Sequence, residues 1–140
     1  MSKRGRNLVL AVISLVLGSL LYVLFRSNTH LAKLCSCIPT VATAQLFFAG
    51  VHIPFLTVYL VDFLWGLSLC CGLLAIHDPG VKGKIVCAVA AFIWGCLWEM
   101  MQWLSVVGGT GDWLDVCMYF LAAFVGIIIN LKERKHEKND

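Results

Sequence analysis

Charge is scarce in this chain. Only 14% of its 140 residues are Asp, Glu, Lys or Arg, where a soluble domain carries about 25%. Hydrophobic residues make up 60%, against a usual range of about 45–50%. With a mean hydropathy of +0.86, that balance excludes a water-soluble globule. The net charge is only +3 and the basic residues are dispersed, so no nucleic-acid-binding surface is expected. The sequence has no His-x-x-x-His or Cys-x-x-Cys pair, which removes the common transition-metal frameworks. Carboxylates near one depth could in principle hold a hard cation through oxygen, but no metal and no cofactor is predicted. Five of the seven cysteines (Cys70, Cys71, Cys87, Cys96, Cys117) lie in apolar runs, where cysteine acts as a small hydrophobe. Cys35 and Cys37 are expected to be free, because a bridge over one residue is strained.

What the chain does have is long uncharged runs, and they predict an all-α membrane protein with four transmembrane helices in a single domain. Lys3, Arg4 and Arg6 precede an apolar run from Leu8 to Phe25, longer than a signal-peptide core and without a small-x-small cleavage site after it. A second span covers about 54–76 and carries Asp62; it ends at His77-Asp78-Pro79-Gly80, a strong turn sequence. The third covers about 85–107 with Glu99 and Gln102, and is broken by Gly108-Gly109-Thr110-Gly111. The fourth opens near Asp112 and runs to 129–130, before a basic tail with Lys132, Arg134, Lys135 and Lys138. Between the first two spans, residues 26–51 are too mixed to cross and read as an interfacial or re-entrant segment. His30 and His52 read as surface or interface residues, and Trp98, Trp103 and Trp113 as interface or packing residues.

Nine of the eleven basic residues fall at the amino end, in the 77–84 turn or in the tail; only Arg26 and Lys33 fall in the opposite loops. Cytoplasmic segments are enriched in Lys and Arg, so both termini are expected inside, with residues 26–51 and 108–115 facing outward.

That orientation collects Asp62, Glu99, Asp112 and Asp115 at one depth, in the outer parts of three spans. A central carboxylate costs at least ~2.5–3.5 kcal/mol to insert, so it faces protein or a wet cavity and marks a functional site. At helical spacing, Ala88, Phe92, Gly95, Glu99 and Gln102 share one face, and Asp112, Asp115, Tyr119, Ala122 and Gly126 share another. Both faces are polar at one end and rich in small residues below, so they are expected to pack as a hairpin, with Ala122-x-x-x-Gly126 as the seam. Arg26, at the end of the first helix, is the natural counter-charge. It cannot neutralise four acids, so Asp62 or Glu99 is expected to hold a proton. Plainer roles stand beside these: Asp112 as helix cap with Asp115 at the third position, and Glu99 and Gln102 as interhelical hydrogen-bonding residues.

Glu99-Met100-Met101-Gln102, then Gly111-Asp112-Trp113-Leu114-Asp115 and a small-residue helix to Gly126, resemble the carboxyl-terminal hairpin of the VanZ-like family. The resemblance covers about residues 95–130, with Glu99, Gln102, Asp115 and Gly126 matching the family pattern. Tyr119 stands where the family usually has Asn, Ala122 where it has Gly, and the 103–111 loop has no arginine. Of the family's motif near the second span only Asp62 remains. The resemblance implies a small bacterial plasma-membrane protein of the cell envelope, associated with low-level resistance to teicoplanin, a lipoglycopeptide. The expected ligand-binding or structural polar pocket is Asp62, Glu99, Gln102, Asp112, Asp115, Tyr119 and Arg26. Its expected partners are membrane lipids and a lipid-linked or glycopeptide ligand. Two other readings of the same acids are a small intramembrane enzyme on a lipid substrate and a proton- or cation-coupled transporter, which at four helices would need a homo-oligomer. The orientation has a direct check: an impermeant maleimide added to intact cells should label the Cys35-x-Cys37 pair, and should reach Asn139→Cys only after lysis. The reverse pattern overturns it.

Overall fold

The computed structural model describes residues 2–27, 29–51, 53, 55–77 and 80–136. Expectations for His52, Pro54, the Asp78-Pro79 turn and Lys138 fall outside the described residues, as do the side chains of His30 and of the tail cations Lys132, Arg134 and Lys135. Among the described residues six α-helices follow one another: α1 (Lys3–Phe25), α2 (His30–Cys35), α3 (Pro39–Phe48), α4 (Leu60–His77, entered through a π-helical turn at Phe55–Tyr59), α5 (Val81–Trp103) and α6 (Trp113–His136). Four segments, Lys3–Phe25, Thr57–His77, Val81–Trp103 and Trp113–Leu131, are long and apolar enough to cross a bilayer. The chain is an all-α, multi-pass membrane protein.

The helices start and stop where backbone groups are capped, not where hydropathy changes. α1 begins before its apolar run because Ser2 Oγ accepts from the Gly5 N–H at 3.1 Å. α5 begins at Val81, so Lys82 and Lys84 belong to its first turn and not to a loop. It also ends at Trp103, short of the expected 107, where the chain turns through Ser105 at a positive φ of 55°. α6 carries helical backbone to His136, through a stretch expected to be a solvated tail. Lysine, arginine and glutamate are good helix formers, so the helix outlasts its apolar run.

The segment between the first two spans forms α2 and α3, which pack on the end of α1. Gln45 holds them there, its amide donating to Val23 O at 2.9 Å and Ala32 O at 3.2 Å. Val23 lies in the last turn of α1, whose carbonyls lack intrahelical partners.

α4 is the element on which α1, α5 and α6 all pack. Asn7, Ala11, Ser14 and Gly18 line the buried face of α1, and a Cβ on Gly18 would come within 2.8 Å of the Trp65 ring. Ser68 Oγ donates to Ala11 O at 2.8 Å across the same contact. Small residues permit this backbone approach, which drives helix association where water is absent. The exposed positions, such as Leu8, Val12, Val16, Trp94 and Phe120, are large and apolar, as surfaces facing lipid must be.

The expected α5–α6 seam is divided between two partners. Tyr119 and Ala123 pack toward α5, but Ala122 lies against Gly66 of α4, and a Cβ on Gly126 would meet Cys70 Sγ at 2.6 Å. The cause is Tyr119: its ring is wedged between Gly66 of α4 and Gly95 of α5, which turns the small residues one turn below it onto α4. A Cβ at Gly95 would overlap that ring, and overpacking costs about 1–3 kcal/mol or more. Gly95→Ala should therefore lower the unfolding temperature in detergent, and Tyr119→Ala in the same chain should recover part of the loss. Gly50→Ala, with nothing within 4 Å among the described residues, should be neutral. An unchanged midpoint for Gly95→Ala would contradict the wedge.

Candidate functional site: a carboxylate cluster at one end of the bundle

The alternation of α1, α4, α5 and α6 brings the end of α1, the start of α4, the end of α5 and the start of α6 to the same end of the molecule. The polar residues expected to converge there do so, with one exception. Asp62, Glu99 and Asp115 are all buried, Glu99 to 1% exposure.

Asp62 lies in the first turn of α4. Its Oδ1 accepts the Tyr119 hydroxyl hydrogen at 3.0 Å, and its Oδ2 lies 3.9 Å from Arg26 Nη2, an ion pair too long to be a hydrogen bond. Arg26 caps the end of α1, sits over the Tyr22 ring at 5.4 Å and donates from Nε to Thr57 O at 3.4 Å. The π-helical turn before α4 thus supplies a carbonyl to the guanidinium. It also carries Tyr59, whose hydroxyl donates to Asp112 Oδ2 at 3.3 Å.

Glu99 reaches the head of α6, where its Oε2 accepts the Asp112 N–H at 3.1 Å. Within a capping box a glutamate of the helix itself takes the cap residue's N–H; here a glutamate of the neighbouring helix does so. Asp112 Oδ1 in turn accepts from the Leu114 N–H at 3.0 Å, so Asp112 acts as the helix cap. Asp115, one turn in, is turned inward and buried, with its carboxyl beside that of Asp62. Asp62 Oδ2 and Asp115 Oδ1 are buried with no hydrogen-bond donor among the described residues. Two carboxyl groups in contact need a donor between them, which a shared proton or a cationic ligand supplies.

Gln102 is the exception. With its amide oriented to satisfy both groups, it accepts from the Trp98 indole at 2.7 Å and donates to Thr110 O at 3.1 Å. It braces the 104–112 loop and does not join the acids. Trp103 and Trp113 close the same loop, with ring centroids 4.6 Å apart.

Below the cluster a groove of about 350 Å³ opens, with Trp65, Gly66 and Leu69 of α4 as its floor and Leu15, Trp94 and Trp98 among its walls. Tyr119 joins the two regions: its ring lines the groove and its hydroxyl binds Asp62.

Sequence reasoning missed Tyr59, which precedes the acid of its own span by less than a turn, and the whole polar knot at the opposite end. There Asn7 Nδ2 donates to Asn130 Oδ1 at 2.8 Å, Arg6 to the same oxygen at 3.3 Å, and Lys84 Nζ to Asn130 O at 2.9 Å. Asn7 and Asn130 each stand one residue outside an apolar run, where hydropathy assigns them to water. Both are 3% exposed.

No family model, curated protein or solved structure matches the chain. The site is therefore read from its geometry. A double-mutant cycle of Tyr119→Phe with Asp62→Ala, measured by unfolding in detergent, should give a coupling of about 0.5–1.5 kcal/mol. Simple additivity would mean that the bond is not made.

Proposed function

We propose that this chain is a VanZ-like protein of the bacterial plasma membrane, with both termini cytoplasmic and the carboxylate cluster facing outward. In this reading it binds a polar or lipid-linked ligand without transforming it and lowers susceptibility to teicoplanin-type lipoglycopeptides. The observation that carries the reading is the meeting of Asp62, Glu99, Asp112 and Asp115, from three helices, at the end of the bundle where one guanidinium pairs with Asp62, with two buried carboxyl oxygens left without donors among the described residues. Mutual partnering explains why the acids of three helices meet; the oxygens that this leaves without donors are what a ligand rich in donors would fill. The distribution of basic residues supports the orientation, and the Glu99, Gln102, Asp115 and Gly126 pattern supports the family.

The groups present suit recognition. Carboxylates accept hydrogen bonds from amines, amides and sugar hydroxyls, and in a desolvated cleft these bonds are stronger than in water. Apolar walls beneath them suit an acyl chain. The facing pair Asp62 and Asp115 also favours a second reading, cation coupling, in which the pair carries the coupling proton. That reading needs a second copy of the chain, and a strictly monomeric particle in mild detergent argues against it.

Expression in a susceptible host should raise the inhibitory concentration of a lipoglycopeptide. Glu99→Gln and Asp115→Asn should abolish the increase at unchanged protein level. No difference between cells with and without the protein would refute the resistance role.

A further inference from the structure

We propose that the groove beside Tyr119 holds one hydrocarbon chain of a membrane phospholipid with a primary-amine headgroup, its ammonium resting against Asp62 and Asp115. The proposal builds on the reading of this end as a ligand site and specifies the ligand's class.

The first argument is length. The groove of about 350 Å³ meets a second hollow of about 260 Å³, and the two share Leu15, Ser68 and Leu69. The first begins at Trp65, one turn below Asp62, and reaches Leu69; the second continues to Ile76, beside the far end of α4. From Asp62 to Leu69 is roughly 10 Å at about 1.5 Å per residue, within one leaflet's share of a ~30 Å hydrocarbon core. The lining is mostly apolar, and Gly72 leaves the α4 backbone open in the second hollow.

The second argument is charge. Of the four carboxyl groups at this end, Asp62 pairs with Arg26, whose guanidinium also donates to Thr57 O. Asp62 and Asp115 are each 6% exposed, and each has one buried oxygen without a donor. An ammonium group offers three donors and a positive charge. In a zwitterionic phosphoethanolamine headgroup, the phosphate that accompanies the ammonium can take the exposed side of Arg26, whose side chain is 31% exposed. A phosphoglycerol headgroup is anionic and brings no cation to meet the carboxylates. Tyr119 sets the register between the two parts, because its ring lines the chain's groove while its hydroxyl fixes Asp62.

The full chain, purified in mild detergent, would be titrated with phosphatidylethanolamine or with phosphatidylglycerol of identical acyl chains, and adducts counted by native mass spectrometry. The ethanolamine lipid should half-saturate at about tenfold lower concentration. Asp115→Asn should reduce that preference, while Leu15→Phe and Leu69→Phe, which fill the groove, should weaken both lipids. Equal binding of the two lipids by the unaltered chain overturns the amine assignment and needs no variant to fold. If binding still weakens when the groove is filled, the broader ligand-site reading survives that failure. If adducts form regardless of the groove and the acid substitutions, the inference and the broader reading fail together.

Discussion

A carboxyl group in an apolar helix cannot stand alone, and the rest of this structure follows from how Asp62, Glu99 and Asp115 avoid doing so. Each costs a few kcal/mol to place at membrane depth without partners. Each is therefore drawn to the one place where other polar groups occur, the end of the bundle where α1 stops, α4 and α6 start and α5 stops. Helix ends suit this role, because their backbone groups are unpaired in any case. Glu99 takes the Asp112 N–H, and Arg26 takes the Thr57 carbonyl. The cluster is thus built as much from helix termini as from side chains.

Bringing three acids together requires the helices to approach closely just below them, and the small residues provide that approach. Gly66 and Gly95 leave room for the Tyr119 ring between α4 and α5, and Gly126 leaves room for Cys70. Tyr119 then links packing to polarity, since the ring that fills the gap between two glycines also positions the hydroxyl that binds Asp62. At the far end Asn7 and Asn130 tie α1 to α6, so the bundle is fixed by buried hydrogen bonds at both ends and by small-residue contacts between. Each interhelical bond contributes only about 1 kcal/mol in lipid; their value lies in fixing which helix faces which.

Much of this was legible in the sequence. The four apolar runs gave the four spans, because hydropathy over about 20 residues is a strong signal in a bilayer. The depth of Asp62 and the depth and helical phase of Glu99, Asp112, Asp115 and Tyr119 anticipated their convergence, because the spacing of residues on a helix fixes their face. Less legible was anything that depends on a partner helix. The choice of α4 over α5 by Ala122 and Gly126 depends on the size of the Tyr119 ring in three dimensions. The burial of Asn7 and Asn130 depends on helices that continue past their apolar runs. Gln102 shares the face of Glu99 but lies one turn nearer the loop, where Trp98 and Thr110 compete for its amide. Gln45 gave no periodic signal, because α3 is short and its role is to occupy carbonyls of α1 and α2.

The central claim is that the acids of α4 and α6 face each other inside the protein. It is tested most directly by replacing the native cysteines, introducing Asp62→Cys with Asp115→Cys, and oxidising in native membranes. A protease site placed in the 104–112 loop then separates α4 from α6. The account predicts that the two fragments stay linked until reduced, and that Asp62→Cys paired with Phe124→Cys, an exposed position two turns further along α6, does not link. Fragments that separate without reduction in the first pair, or linkage equal in both, would contradict it.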